Sequence, residues 1–276
     1  MKKVYLDNAS TTAMRPEVIQ VMVDCMAQDY GNPSSTHSLG RHAKSILELS
    51  RKSIAKALNA TAQEILFTSG GTEANNWILR SAVKDLKVRR IISSKMEHHA
   101  VLYPILELQK EFDIQVEYVE NSADGVLDLT HLVDLLSEST EKTLVSLMHV
   151  NNETGVILDL ERVSQICQEH HALFHSDTVQ SVGKAILDLQ KVPIDFIVSS
   201  AHKFHGPKGV GFAFIRKNSG LQPLFFGGEQ EKGLRSGTEA IHQIAGMAKA
   251  LEVSYANLEA EKNHISELKN YLINQL

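Results

Sequence analysis

The sequence has few cysteines, little net charge and no long apolar run, and each scarcity excludes a class of protein. The 276 residues carry a net charge of -5 with a pI of about 6.2, which gives no general reason to expect nucleic acid or an anionic membrane as a partner. No uninterrupted apolar run could span a bilayer. Residues 1–8 contain two lysines but lack the apolar stretch of a signal peptide.

The two cysteines are Cys25 and Cys167. Each lies in an apolar stripe at helical spacing, which predicts thiols packed in the core. Low cysteine use and the lack of an export signal predict a reducing, cytoplasmic location. Cys167, His171 and His175 recur at intervals of four and could suggest a metal site. A predicted helix end falls between them, so the three would not share a face and we expect no metal there.

Patterns typical of strands and helices alternate along the chain from residue 64 to residue 215. Such alternation predicts an α/β fold of three layers (αβα) around a mostly parallel seven-stranded sheet. The predicted strands are residues 64–68, 90–94, 114–119, 143–149, 173–175, 196–199 and 209–215. The predicted helices are residues 16–29, 41–58, 72–83, 100–112, 129–137, 160–169 and one long helix from 240 through 268.

Lys203 follows the sixth predicted strand directly. An amine at the mouth of a buried strand loses solvation, which lowers its pKa, and the neutral amine is the form that attacks an aldehyde to make a Schiff base. The alternative is a surface lysine beside a turn, which describes most lysines. The Gly/Pro turn at 206–209 lacks the rest of the Gly-x4-Gly-Lys-Ser/Thr pattern, so we expect no nucleotide site there.

Further polar residues follow the other strands, and ligands of such sheets bind outside the carboxyl ends of the strands. The residues supply a phosphate cradle at a helix start, an imidazole, amides, a carboxylate and an amine, which is the set that pyridoxal phosphate needs. They lie in residues 69–73, 95–99, 150–155, 176–180 and 200–203. Local alternatives are helix capping by Thr72 or Asp177. His99 is expected to be solvated or in the core, because only one of the adjacent histidines can face the ring.

These motifs together resemble the class V aminotransferase family and, more narrowly, its cysteine desulfurases of the NifS/IscS type. The resemblance covers essentially the whole chain and rests on residues 5–12, 31–35, 67–73, 97–98, 148–155, 175–180, 200–203 and 235–238. It implies the large domain of a fold-type I transferase that uses pyridoxal 5'-phosphate, in a homodimer. Segments 151–155 and 235–238 favour a desulfurase over the alternatives, which are a selenocysteine lyase or an aminotransferase.

The resemblance also implies a role for each matching residue. Lys203 would bind the cofactor covalently, Asp177 would pair with the pyridine nitrogen, and His98 would stack on the ring. Asn152 and Gln180 would lie near the phenolic oxygen. The implied phosphate contacts are Gly71, Thr72, Ser200, His202 and, from the second subunit of the dimer, Thr238.

In the family, L-cysteine becomes L-alanine and its sulfur passes to an enzyme cysteine as a persulfide, for iron–sulfur cluster or thio-cofactor assembly on an acceptor or scaffold protein. That cysteine and the arginine for the substrate carboxylate lie in a smaller C-terminal domain, and Cys25 and Cys167 match neither position. We therefore expect an N-terminal segment (1–15) that packs with the small domain, a cofactor-binding domain (16–255) and the start of a shortened small domain (256–276). Truncation, gene disruption or the choice of the expressed piece would explain this, and a catalytically silent cofactor-binding module is the alternative function.

Overall fold

The structure, a computed structural model, describes residues 4–276, which form helices on both faces of one sheet. The strands are β1 (Ile65–Thr68), β2 (Arg90–Ser93), β3 (Gln115–Tyr118), β4 (Thr143–Ser146), β5 (Leu173–Asp177), β6 (Phe196–Ser200) and β7 (Gly211–Ile215). The helices are α1 (Pro16–Gln28), α2 (Ser38–Ala57), α3 (Gly71–Lys84), α4 (His99–Phe112), α5 (Leu129–Ser137), α6 (Leu160–Glu169), α7 (Ile241–Ala256) and α8 (Leu258–Gln275).

The sheet is mostly parallel, as the alternation of strands and helices predicted. Its strand order is β1-β7-β6-β5-β4-β2-β3. Strand β7 lies between β1 and β6 and runs antiparallel to both, whereas the pairs from β6 to β3 are parallel. The carboxyl ends of every strand except β7 therefore meet at one edge, where ligands of open α/β sheets bind.

The two faces of the sheet pack against different helices. Phe67, Val145 and Phe174 point into one apolar cluster, which α2, α5, α6 and α7 cover. Their neighbours Leu66 and Leu144 point into a second cluster, under α3 and α4. Because successive side chains of a strand face opposite sides, strands buried on both faces read as continuous apolar runs. The three-layer αβα arrangement predicted from the alternation of strands and helices is confirmed.

One prediction about the helices needs correction. The single long helix predicted from residue 240 through 268 is two helices, since α7 ends at Ala256 and α8 begins at Leu258. The helical pattern continues across the junction, but Asn257 has φ -105° and ψ 5° and interrupts the helix. The boundary predicted between residues 255 and 256 falls beside this break, and it stays a prediction as a domain boundary.

The segment that precedes α1 is attached to the turn after β6. The backbone N–H of Thr12 donates to the carbonyl oxygen of His202 at 2.9 Å, and its hydroxyl donates to the same oxygen at 2.9 Å. The N–H of His205 in turn donates to the Thr12 hydroxyl at 2.7 Å. These bonds hold the N-terminal segment against the carboxyl edge of the sheet. Within residues 4–276, no helix combines the length and the apolar character that a bilayer crossing needs.

Candidate active site

A cavity of about 450 Å³ lies at the carboxyl edge of the sheet. This volume falls within the range of small-molecule and cofactor sites. Nine of the ten residues predicted to bind the cofactor line it. They are Gly71, Thr72, His98, Asn152, Asp177, Gln180, Ser200, His202 and Lys203. The arrangement follows from the topology, because each of these residues ends a strand or follows one closely in the chain.

Asp177 is the last residue of β5, and it presents a buried carboxylate to the cavity. Its Oδ2 accepts a hydrogen bond from Asn75 Nδ2 at 2.8 Å, and its Oδ1 accepts one from the N–H of Val179 at 3.0 Å. Burial raises the pKa of this carboxyl, against those hydrogen bonds and the positive charge of Lys203. A turn and not a helix follows Asp177, so the alternative of a helix N-cap is wrong.

Lys203 ends a short 3₁₀ turn, Ala201–Lys203, that follows β6 directly. Its amine donates to the carbonyl oxygens of Ala9 and Ser10, with Nζ at 2.7 and 2.9 Å. Burial lowers the pKa of this amine, and the negative charges of Asp177 and Asp7 act against that shift. The lowered pKa increases the fraction of neutral amine at a given pH, as attack on an aldehyde requires.

The phosphate cradle predicted after β1 is the N-terminus of α3. The helix is preceded by Gly70, whose φ of 151° is a conformation that favours glycine and whose position lacks a capping side chain. The first N–H groups of a helix have no partner within it and, with the helix dipole, favour an anion. Thr72 is therefore inside the first turn, and the alternative that it caps the helix is wrong.

His98 and His99 face different surroundings, as the sequence predicted. His98 lines the cavity and precedes α4, where its Nδ1 accepts a hydrogen bond from the N–H of Ala100 at 3.0 Å. His99 is exposed and stacks on Tyr103, with ring centroids 4.8 Å apart and planes within 4°. The capping bond holds the His98 ring at the cavity wall.

Amide and hydroxyl groups complete the wall. Gln180 Nε2 donates to the carbonyl oxygen of Ala9 at 2.7 Å, and Asn152 Nδ2 donates to Glu153 Oε1 at 2.7 Å. Ser200 lies at the end of β6, and the Nδ1 of His202 lies 3.1 Å from the Thr11 hydroxyl oxygen. Partial burial lowers the pKa of His202, and the charge of Lys203 adds to the shift.

Thr238 is the one predicted cofactor residue outside this group. It is exposed, and the residues described as lining the cavity do not include it. Its loop is fixed by Arg235, whose Nε donates to Glu73 Oε1 at 2.8 Å in the first turn of α3. Burial acts to raise the pKa of Glu73, but hydrogen bonds from Arg235 and Ser69 hold it below its usual value. The predicted contact of Thr238 with a second subunit stays a prediction.

Two buried residues beside the cavity carried no role in the sequence interpretation. Asn75 lies one turn into α3 and donates to Asp177, while Glu97 is 5% exposed and accepts a hydrogen bond from the N–H of Met148 at 2.7 Å. Burial raises the pKa of Glu97 well above its usual value, and the neighbouring Asp177 charge adds to this. The signal for Asn75 was its place on the apolar face of α3, where an amide needs a partner.

Neither cysteine belongs to the site. Cys25 on α1 and Cys167 on α6 are buried among apolar side chains, as predicted, and neither lines the cavity described above. Burial raises the pKa of both thiols, which disfavours the nucleophilic thiolate. Cys167 is buried in α6, whereas His171 is exposed in a turn, so the interval of four does not place them on a common helix face.

The residues present fit pyridoxal phosphate. A buried carboxylate with raised pKa lacks a cationic partner within its own hydrogen-bond set, and a protonated ring nitrogen would supply one. The uncapped N-terminus of α3 suits a phosphate, and the Lys203 amine suits an aldehyde. All three features line one cavity, which is the arrangement that the cofactor requires.

The comparisons with known proteins agree with this geometry. Residues 4–276 match the family model described as aminotransferase class-V. A cysteine desulfurase IscS of Dictyoglomus turgidum is 41% identical over 277 residues, a match that covers 100% of this chain and 70% of that protein. A NifS-like protein of known structure has a TM-score of 0.95 and 39% identity over 99% of this chain and 75% of that one.

A third relative was solved with a ligand. It is SspA in complex with cysteine, with a TM-score of 0.85 and 33% identity over 91% of this chain and 72% of that one. The family model spans almost the whole chain, and the similarity includes both sequence and fold. This chain therefore belongs to the class-V aminotransferase family.

Proposed function

We propose that this chain is the cofactor-binding part of a pyridoxal-phosphate-dependent cysteine desulfurase. The observation that carries the proposal is the convergence of the Lys203 amine, the Asp177 carboxylate and the α3 N-terminus on one cavity. The desulfurase names of the relatives support L-cysteine as the substrate. Bound pyridoxal phosphate supplies an electron sink that stabilises negative charge at the substrate α carbon.

The side chains that line the cavity have separate roles in binding the cofactor and in moving protons. Lys203 supplies the neutral amine that binds the cofactor and can take up the α proton of the substrate. Asp177, held by Asn75 Nδ2, would keep a proton on the ring nitrogen and so strengthen the electron sink. The N-terminal N–H groups of α3, with Ser200 and His202, would hold the phosphate, and His98 would stack on the ring.

Sulfur transfer requires a thiolate that attacks the substrate sulfur. The C–S bond then breaks, an S–S bond forms, and the electron pair left on carbon takes a proton to give alanine. Burial of Cys25 and Cys167 and their raised thiol pKa values make both unsuitable. We propose that the attacking thiol is neither of these two. The sulfur of the resulting persulfide would then pass to an acceptor or scaffold protein for iron–sulfur or thio-cofactor assembly.

We propose further that the protein works as a homodimer in the cytoplasm. Exposed Thr238 on its anchored loop supports the first point, since a hydroxyl outside its own cavity can serve the cavity of a second copy. Low cysteine use supports the second. In this arrangement Thr238 contributes a phosphate contact across the two-fold axis.

Absorbance spectroscopy tests the proposed function. Adding pyridoxal phosphate to the purified protein is expected to give a visible band that Lys203→Ala lacks, because the band requires the lysine amine. Adding L-cysteine is expected to change this band, and the Cys25→Ala/Cys167→Ala double variant is expected to respond in the same way. A wild-type protein without the band would contradict cofactor binding, and a response lost in the double variant would contradict the exclusion of these cysteines.

A further inference from the structure

A second lysine contacts the site through Gln180. The chain turns sharply after β5, with the N–H of Lys184 donating to the carbonyl oxygen of Ser181 at 2.9 Å. Gly183 has a φ of 80°, and a Cβ there would lie 2.5 Å from Cβ of Phe204, so this turn requires glycine. The turn brings Lys184 Nζ to 3.0 Å from Gln180 Oε1. Because position 183 accepts only glycine, the turn has one conformation, and this conformation fixes the position of the Lys184 backbone from which the side chain extends.

The two hydrogen bonds of Gln180 determine which way its amide points. A lysine ammonium can only donate, so the atom facing Lys184 must be the amide oxygen. A carbonyl oxygen can only accept, so the atom 2.7 Å from the Ala9 oxygen must be Nε2. One N–H of Nε2 is used on Ala9, the second has no further acceptor among residues 4–276, and Gln180 lines the cavity. Reversing the amide would leave both ends with unsuitable partners.

The same contacts connect Lys184 with the cofactor lysine. The Ala9 carbonyl oxygen accepts from Gln180 Nε2 and from Lys203 Nζ, both at 2.7 Å. Lys184, Gln180, Ala9 and Lys203 therefore form one continuous series of hydrogen bonds along the cavity wall. Although Lys184 is exposed as a residue, burial of its amine lowers its pKa and the charge of Lys203 lowers it further.

A nearby lysine shows what an ordinary surface position looks like. Lys191 is exposed, and its Nζ lies 3.8 Å from Asp188 Oδ2, an ion pair of neighbouring residues. It has no part in the series of hydrogen bonds that reaches the cavity. The chain thus offers a matched control, since both lysines are exposed and follow β5 within twenty residues.

We propose that Lys184 is a positioning residue that holds the Gln180 amide with an N–H directed at the ring substituents of pyridoxal phosphate. This role rests on the proposed function above, because it needs the cofactor in the cavity. Lys184 acts through Gln180 and does not touch the cofactor itself. Without the lysine, Oε1 loses its donor and the amide gains freedom to rotate.

Titration with pyridoxal phosphate, followed by the visible band, tests this role. Lys184→Met is expected to raise the Kd about tenfold, the scale of one net hydrogen bond, and to shift the band because the ring oxygen loses a fixed donor. Lys191→Met should leave both values unchanged. Lys184→Met added to Gln180→Ala should have no further effect, since the lysine acts through that amide. Equal thermal melting of the single variants excludes misfolding.

A second readout needs no cofactor. The Gln180 side-chain amide signal in a ¹⁵N NMR spectrum, assigned by its loss in Gln180→Glu, should move in Lys184→Met and stay in place in Lys191→Met. Unchanged Kd, band and amide signal in Lys184→Met would overturn the inference while the proposed function stands. A wild-type protein without the visible band would overturn the proposed function, and the amide signal would still decide whether Lys184 orients Gln180.

Discussion

The carboxyl edge of the sheet and the loop between β7 and α7 both carry predicted cofactor contacts, and they hold them by different means. At the sheet edge, strand ends bring nine residues into one cavity. The loop is irregular, and ion pairs fix it: Arg51 with Glu231, and Arg235 with Glu73. Backbone topology therefore positions the residues that line the cavity, whereas ion pairs between residues distant in sequence position the loop that carries Thr238.

Among the predicted changes, breaking the Arg51–Glu231 pair should have the largest effect, a loss of stability. The pair is bidentate with both N–O distances at 2.7 Å, and the partners are only 2% and 4% exposed. Glu231→Gln leaves the buried guanidinium with only the half-exposed carboxylate of Glu48 at 3.2 Å, so we expect the free energy of unfolding to fall by about 3 kcal/mol in urea denaturation. Arg80→Met, which breaks the exposed bidentate pair with Glu111, should cost at most about 1 kcal/mol. Equal losses would contradict the role given to burial.

The sheet region should dominate the response to acid. His175 in β5 is fully buried with Nδ1 2.9 Å from the Ser146 hydroxyl oxygen, and burial lowers its pKa to about 3. Because the unfolded chain binds this proton near pH 6.5, stability should fall by up to about 1.4 kcal/mol per pH unit from there towards pH 3. Unfolding measured at pH 6.5 and pH 5 should show a smaller loss in His175→Gln. If His175→Gln lost as much stability between pH 6.5 and pH 5 as the wild type, the role of His175 would be contradicted. An equal reduction of that loss in His264→Gln, at an exposed histidine, would contradict the role of burial.

A substitution of Asp177 tests the predicted cofactor contacts at the edge of the sheet. Asp177→Asn keeps the shape and removes the charge that the proposed function pairs with the ring nitrogen, so we expect the Kd for pyridoxal phosphate to rise about tenfold to a hundredfold, the scale of a hydrogen bond to a charged group. Titration of the visible band measures this. Asp188→Asn, at a half-buried carboxylate outside the cavity, should leave the Kd unchanged. If Asp177→Asn bound pyridoxal phosphate with the wild-type Kd, the proposed role of this carboxylate in cofactor binding would be contradicted.

A substitution of Thr238 tests the predicted contact on the loop between β7 and α7, where we expect the smallest effect on the Kd for pyridoxal phosphate. Loss of the proposed hydrogen bond from the hydroxyl to the phosphate in Thr238→Ala should raise the Kd about tenfold, the lower end of the scale for a bond to a charged group. Mixing this variant with Lys203→Ala should restore tight binding in a fraction of the sites, because a mixed dimer contains one cavity with an intact lysine and an intact threonine. Mixtures that bind no better than their separate components would contradict a contact across subunits.

Residues at strand ends could be predicted from the sequence because apolar runs and the alternation of strands and helices fix where each strand stops. Helices α5 and α6 coincide with their predicted ranges, and Lys203 and Asp177 line the same cavity. The break at Asn257 could not be predicted, since the helical spacing of apolar residues continues across it. The position of Asn75 on the apolar face of α3 indicated that its amide needs a partner, but neither that partner, Asp177, nor the bond from Met148 to Glu97 could be predicted, because both depend on packing between distant segments.

The most direct test of the account is the chemical identity of the cofactor-binding residue. Borohydride reduction of the protein with pyridoxal phosphate, followed by peptide mass spectrometry, should find the label on Lys203 and on neither Lys184 nor Lys191. Label on Lys184, label spread over surface lysines, or no label at all would contradict the assignment of the cavity as a pyridoxal phosphate site built around Lys203.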